Sequence, residues 1–211
     1  MTSKYVPVLY VVVLSVVTPV VNANPFVDMG MRGTVELAKG VPANDMLGFG
    51  IYGHYALEQD WLLGFGLDFL AYDFENPAEI LGITTADVKI IDAATTATNL
   101  TLWLERRYTE AGSAWYWQAG LGVGMLDVKN ATGSVQGGGA YVAATEPNTE
   151  ILVIGGLGYR KQLGAHWTFD SAAGLAYHMA DWKVRDLNSV AVGTIDNYTA
   201  YTLRFGVDYR F

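Results

Sequence analysis

The side chains able to do chemistry are few in kind. Three histidines are present, His54, His166 and His178, and no cysteine. Acyl transfer needs a hydroxyl or thiol activated by an imidazole that a carboxylate orients. Without Cys, disulfides and thiolate metal sites are excluded, and three scattered His make a poor transition-metal set. What recurs instead is a series of ionisable residues an even number of positions apart within short segments: Asp28, Arg32 and Glu36; His54; Asp68; Glu105 and Arg107; Arg160; Asp170 and His178; Arg204, Asp208 and Arg210. On extended chain such spacing gathers them on one face. Charges of both signs brought together out of water must pair, because an unpaired one is costly to desolvate. The chemistry this pattern predicts is a salt-bridge network, with no catalytic, cofactor-binding or metal-ligating residue.

The positioning elements follow from the residues between. From Tyr201 onward, odd positions are apolar or aromatic (Tyr201, Leu203, Phe205, Val207, Tyr209, Phe211) and even ones are small or polar. That period of two makes a strand with one greasy and one charged face. The same alternation predicts seven further strands: Val27–Ala38, Met46–Leu57, Trp61–Asp73, Ala94–Tyr108, Trp115–Asp127, Glu150–Leu163 and Trp167–Met179. Their connections alternate, short after the second, fourth and sixth and long after the others. In the long connections, Asn76-Pro77 to Gly82 predicts one helical turn. The stretch with Gly133 and Gly137–Gly139 predicts a mobile loop. Phe26, Tyr55, Trp61, Tyr108, Trp115, Trp117, Tyr159, Trp167, Tyr209 and Phe211 gather at the short-turn ends, on the apolar face. Rings of that kind sit at a membrane–water boundary. Arg106 interrupts that face near a strand end, where a long side chain can snorkel.

Composition agrees. Charged residues are 16% of 211, low for a water-soluble domain of about a quarter, while 51% are hydrophobic. Lys4, the apolar run Tyr5–Val17, Pro19 and Val21-Asn22-Ala23 predict a secretory signal peptide over residues 1–23, with the barrel over residues 24–211. No later run is long enough for a transmembrane helix. A formal net charge of −8 argues against nucleic acid as a partner. A soluble eight-stranded barrel would need the apolar face inside, leaving a surface dominated by Gly in place of mixed charges. The expected fold is therefore an all-β, eight-stranded antiparallel up-and-down transmembrane β-barrel. Its lumen is narrow enough for side chains largely to fill. Lumenal glycines, among them Gly48, Gly64, Gly120, Gly158 and Gly174, leave space that Tyr52, Tyr72 and Trp103 fill or that stays open as a narrow path.

The last residues also resemble the C-terminal assembly signal of bacterial outer-membrane barrels, with Arg204, then Gly206, then Tyr209 and Phe211. Together with the strand pattern, the chain resembles the small Gram-negative outer-membrane barrels of the OmpA-transmembrane, OmpX/opacity and OmpW type. The resemblance implies an outer-membrane location, periplasmic termini, a monomer, and contact with lipid, lipopolysaccharide and the barrel-assembly machinery. It implies a non-enzymatic structural or surface-interacting protein, the alternative being an OmpW-like channel for small solutes, apolar ones included. Within these residues no peptidoglycan-binding domain follows the barrel, so the anchoring role of OmpA-like proteins is not expected. Small barrel deacylases carry His and Ser two apart; here His178, His166 and His54 precede Ala180, Thr168 and Ala56 at that distance. The proteases of this compartment use ten strands where eight are expected here.

Overall fold

The computed structural model describes residues 26–39, 46–58, 60–73, 88–135, 139–145, 148–180, 182–185, 191–195 and 197–211; the predicted signal peptide and the helical turn at 76–82 lie outside them. Eleven strands are present in the described residues: β1 Phe26–Lys39, β2 Met46–Ala56, β3 Trp61–Asp73, β4 Val88–Glu110, β5 Ser113–Val135, β6 Gly139–Thr145, β7 Asn148–Gln162, β8 Trp167–Met179, β9 Trp182–Arg185, β10 Ala191–Ile195 and β11 Tyr198–Arg210. Eight of them form the barrel, each antiparallel to its neighbour, in the order β1-β2-β3-β4-β5-β7-β8-β11. β1 closes it against β11 through a register running from Asp28 opposite Arg210 to Lys39 opposite Thr199. Closure satisfies the backbone of both strands that would otherwise be edges.

Alternation explains which face points where. Along β11 the buried residues are Tyr198, Ala200, Thr202, Arg204, Gly206 and Asp208, while Tyr201, Leu203, Phe205, Val207 and Tyr209 are exposed. The same inversion holds around the wall. Met31, Phe49, Leu102, Leu121 and Leu157 lie on the outside at 52–67% exposure, while Asp28, Glu105 and Arg160 are buried inside. A water-soluble protein does not leave so continuous an apolar band uncovered. Strands of 13 residues, tilted about 40°, rise roughly 30 Å, enough to cross the hydrocarbon.

The short connections close one rim. Leu57 N–H donates to Trp61 O at 3.0 Å, and Leu163 N–H to Trp167 O at 2.8 Å. Between β4 and β5 the hairpin turns on Ala111 and Gly112, both with positive φ (43° and 81°). That is what a two-residue turn needs to match the right-handed twist of its strands. At the other rim the extent of strand exceeds expectation. β4 and β5 run to 23 residues each, ten more than β3. They continue past the barrel as a ribbon pairing Val88 with Val135 and Thr95 with Val128. β6 adds to β5, β9 to β6 and β10 to β9. Gly133, expected in a mobile loop, therefore lies in β5 opposite Ile90 and Tyr141. Thr, Asp and Ala obscure the period of two in the long connections, so the sequence there predicts loops. Backbone pairing with a neighbouring ribbon does not require that period.

Candidate functional site

The lumen is the one place where polar chemistry is concentrated among the described residues. Its lower third, at the short-turn rim, is built around Arg160 on β7. Its guanidinium donates to Asp28 at 3.0 Å and lies 2.6 Å from Asp208, 3.5 Å from Asp170 and 4.0 Å from Glu105. His54 on β2 stands in the same cluster, Nδ1 2.5 Å from Asp28 and Nε2 3.1 Å from Glu105. Arg107 closes it toward the rim, 2.5 Å from Glu105 and 3.4 Å from Asp28. Six strands thus converge on one Arg–His–Arg core held by carboxylates, and all but Arg107 are almost wholly buried.

The middle layer is made of large side chains. Arg32 on β1 forms a two-point pair with Asp68 on β3, at 2.8 Å and 2.5 Å. This is the planar fork geometry in which guanidinium meets carboxylate best. The same guanidinium carbon lies 5.2 Å from the Trp103 ring and 5.5 Å from that of Tyr52. The Tyr52 hydroxyl donates to Asp208 at 2.9 Å, and that of Tyr116 donates to Asp170 at 2.8 Å. These rings occupy the space the glycines leave. A Cβ on Gly64 would collide with the Trp103 indole, and one on Gly158 with the Tyr116 ring. The space beside Gly206 is likewise taken, by the Tyr52 hydroxyl.

In the upper third, His178 on β8 is sandwiched between acids, its Nδ1 2.8 Å from Glu150 and its Nε2 3.8 Å from Glu36. Tyr198 stacks on the imidazole at 4.1 Å. Around this cluster the lumen turns apolar, with Met46, Leu70 and Leu152 fully buried. Two spaces lie along the lumen. The cavity between Arg32, Trp103 and Tyr116 holds about 10 Å³, at the lower limit for one water. A second space of about 90 Å³ opens at the short-turn rim beside Asp28, Arg107, Arg160 and Arg210.

Of the ionisable residues expected to share one face, Asp28, Arg32, Glu36, His54, Asp68, Glu105, Arg160, Asp170, His178, Arg204 and Asp208 are buried in the lumen and Arg107 is half-buried at its mouth. Arg210 is a correction. Its position has lumenal parity, but β11 ends there and its side chain stands exposed at the rim. Among the described residues no ion pair within 4.0 Å joins Arg204, Asp208 or Arg210 to Asp28, Arg32 or Glu36. Those residues share adjacent strands, yet the ion pairs run to β2, β3, β4, β7 and β8. An eight-stranded lumen is narrow enough for long side chains to reach across it. Arg204 has no carboxylate within 4.0 Å among the described residues, and its Nε has no partner. Glu150 and Tyr116 join the network as well, and the alternation of β7 and β5 places both on the lumenal face. Tyr72's side chain lies outside the described residues.

The outer face carries an aromatic girdle at the short-turn rim. Phe26 meets Tyr55 at 6.0 Å, Trp61 meets Trp117 at 5.4 Å, Trp115 meets Tyr159 at 4.9 Å and Trp167 meets Tyr209 at 5.3 Å. An apolar belt, a girdle and a packed polar interior on eight closed strands define the small outer-membrane barrel fold. The comparisons place the chain within it. Its fold is similar to that of the outer membrane protein OprG from Pseudomonas aeruginosa, at 13% identity over 88% of this chain and 96% of that one, with a TM-score of 0.56. It is also similar to a major outer membrane protein from Thermus thermophilus, at 12% identity over 87% and 99%, with a TM-score of 0.58. At these identities the likeness is one of fold. No family model matches the chain, and no curated protein matches it.

Proposed function

We propose that the protein is a non-enzymatic, plugged barrel of the bacterial outer membrane. On this reading its work is done by its wall and long-loop face, and no solute passes through its lumen. The observation that carries this is the filled middle layer. Trp103, Tyr116, Tyr52 and the Arg32–Asp68 pair leave about 10 Å³ where a channel would need a continuous path. Both nitrogens of each buried imidazole face carboxylates, so neither ring is arranged as a base beside a hydroxyl nucleophile. The apolar belt and girdle support membrane insertion with the short turns and both termini on the periplasmic side, the long-loop end facing lipopolysaccharide and the exterior. Arg204, Gly206, Tyr209 and Phe211 on β11 are the segment offered to the assembly machinery, and the chain works as a monomer.

Single-channel recording on refolded protein in planar bilayers tests the plug. The expected result is a silent wild type. Steady openings whose conductance changes in Arg32→Ala or Glu105→Ala would overturn it in favour of a narrow OmpW-like conduit.

A further inference from the structure

Within the aromatic girdle, one outward-facing charge has no place in the lumenal network. Arg106 lies on β4 opposite Trp61 of β3 and Trp117 of β5. Its guanidinium carbon sits 5.3 Å from the Trp61 ring and 5.3 Å from the Tyr108 ring. Among the described residues no carboxylate lies within ion-pair distance of it, and its Nε is shielded from solvent without a hydrogen-bond partner. The other outward-parity charges near this rim, Glu110 and Lys161, stand beyond Tyr108 and Tyr159 at the exposed strand ends. Arg106 is set one residue pair deeper, between Leu104 and Tyr108.

A cation at that depth is costly unless an anion meets it, since the lipid face tolerates Arg poorly away from the interface. Its two aromatic walls hold the guanidinium plane by cation–π attraction while leaving its terminal N–H groups unclaimed by the protein. The one anion that lies at girdle depth all along a bilayer is the phosphodiester of the lipid headgroup. Planar guanidinium binds phosphate oxygens with two parallel hydrogen bonds. The rings then lie against the first carbons of the acyl chains. We propose that Arg106, walled by Trp61 and Tyr108, is a binding site for the phosphate of a membrane glycerophospholipid. The site lies in the leaflet that contacts the short-turn rim. Assigning that leaflet to the periplasmic side rests on the orientation given above; the binding itself does not.

The test uses the refolded full-length protein in a phosphate-free detergent, with heat-modifiable gel migration verifying the closed barrel. Native mass spectrometry follows titration with phosphatidylglycerol, with a phosphate-free galactosyl diacylglycerol, and with inorganic phosphate. The expected result is a saturable first phosphatidylglycerol adduct, weakened about tenfold in Arg106→Gln, the loss of roughly one charge-assisted contact. Arg106→Lys should fall between, and Lys161→Gln should leave the adduct unchanged. Three results each overturn the site: equal retention in Arg106→Gln, galactolipid bound as tightly as phosphatidylglycerol, or inorganic phosphate competing at equal concentration, which would mark a soluble-anion site. Micelles present lipid to both rims, so a reversed orientation or a conducting lumen would leave this outcome unaltered.

Discussion

Replacing Arg160 with Met should be among the most damaging single changes in the lumen, and replacing Arg204 with Met among the mildest. The two arginines are equally buried, at 4% and 8% exposure, and both sit inside the barrel. Their surroundings differ. Arg160 lies within 3.5 Å of Asp28, Asp208 and Asp170 and 4.0 Å from Glu105. Met would fill much of its volume but leave Asp28 and Glu105 to His54 and Arg107, and Asp208 and Asp170 with the Tyr52 and Tyr116 hydroxyls and no cation within 4.0 Å among the described residues. Removing one partner from a buried ion pair costs about 3–5 kcal/mol because the other charge stays buried and uncompensated. Here the uncompensated side contains more than one acid, so the upper part of that range applies. Arg204 has no carboxylate within 4.0 Å among the described residues, so Met there deletes a desolvated charge and should be neutral or stabilising, by up to about 2 kcal/mol. Urea titration of both variants in the same lipid, followed by Trp fluorescence and gel migration, measures the difference. Arg160→Met within about 1 kcal/mol of wild type, or Arg204→Met as damaging as Arg160→Met, would show that ion pairing is not what holds the lumen together.

Three further changes probe the wall, the turn and the closing strand. Leu203→Arg puts a cation on the lipid face of β11 and should cost about 2–4 kcal/mol near the midplane, read by the same urea titration; a neutral effect would place that face elsewhere. Ala111→Gly should stabilise the β4–β5 hairpin by about 0.5–1 kcal/mol, because Ala111 holds φ at 43° against its own Cβ; lower stability would mean the turn is not strained. Deleting Phe211 removes the ring packed 5.8 Å from Tyr209 and the N–H that donates to Val27 O at 3.2 Å. Export should continue while the fraction of heat-modifiable barrel in the outer membrane falls, and an unchanged fraction would count against the assembly role.

A comparison of Thr202 with Leu203 shows where reading the chain stops. Alternation alone puts Thr202 inside and Leu203 outside, and their burial agrees. Whether Thr202 has room for a longer side chain is another matter. Gly206 suggests space, yet the Tyr52 hydroxyl, 154 residues earlier in the chain, stands in it. An arginine at Thr202 therefore has less room than the glycine beside it implies.

What the chain alone determined is what a period of two and an aromatic count can carry: eight wall strands, their two faces, the girdle, and which charges turn inward. These are local properties, because each side chain's face depends only on its parity within its own strand. The pairing inside was settled by the tertiary structure. The inward arginine nearest Asp28 in sequence is Arg32, but closure and stagger bring Arg160, 132 residues away, to its carboxylate. The same is true of the filled middle. Trp103 over Gly64 and Tyr116 over Gly158 are contacts between directly opposed residues of neighbouring strands, so the register of β3 with β4 and of β5 with β7 decides which large ring meets which missing side chain. The ribbon beyond the rim is decided the same way. Residues 88–95 and 128–135 carry no clean alternation, and they are strands because backbone pairs with backbone whatever the side chains are.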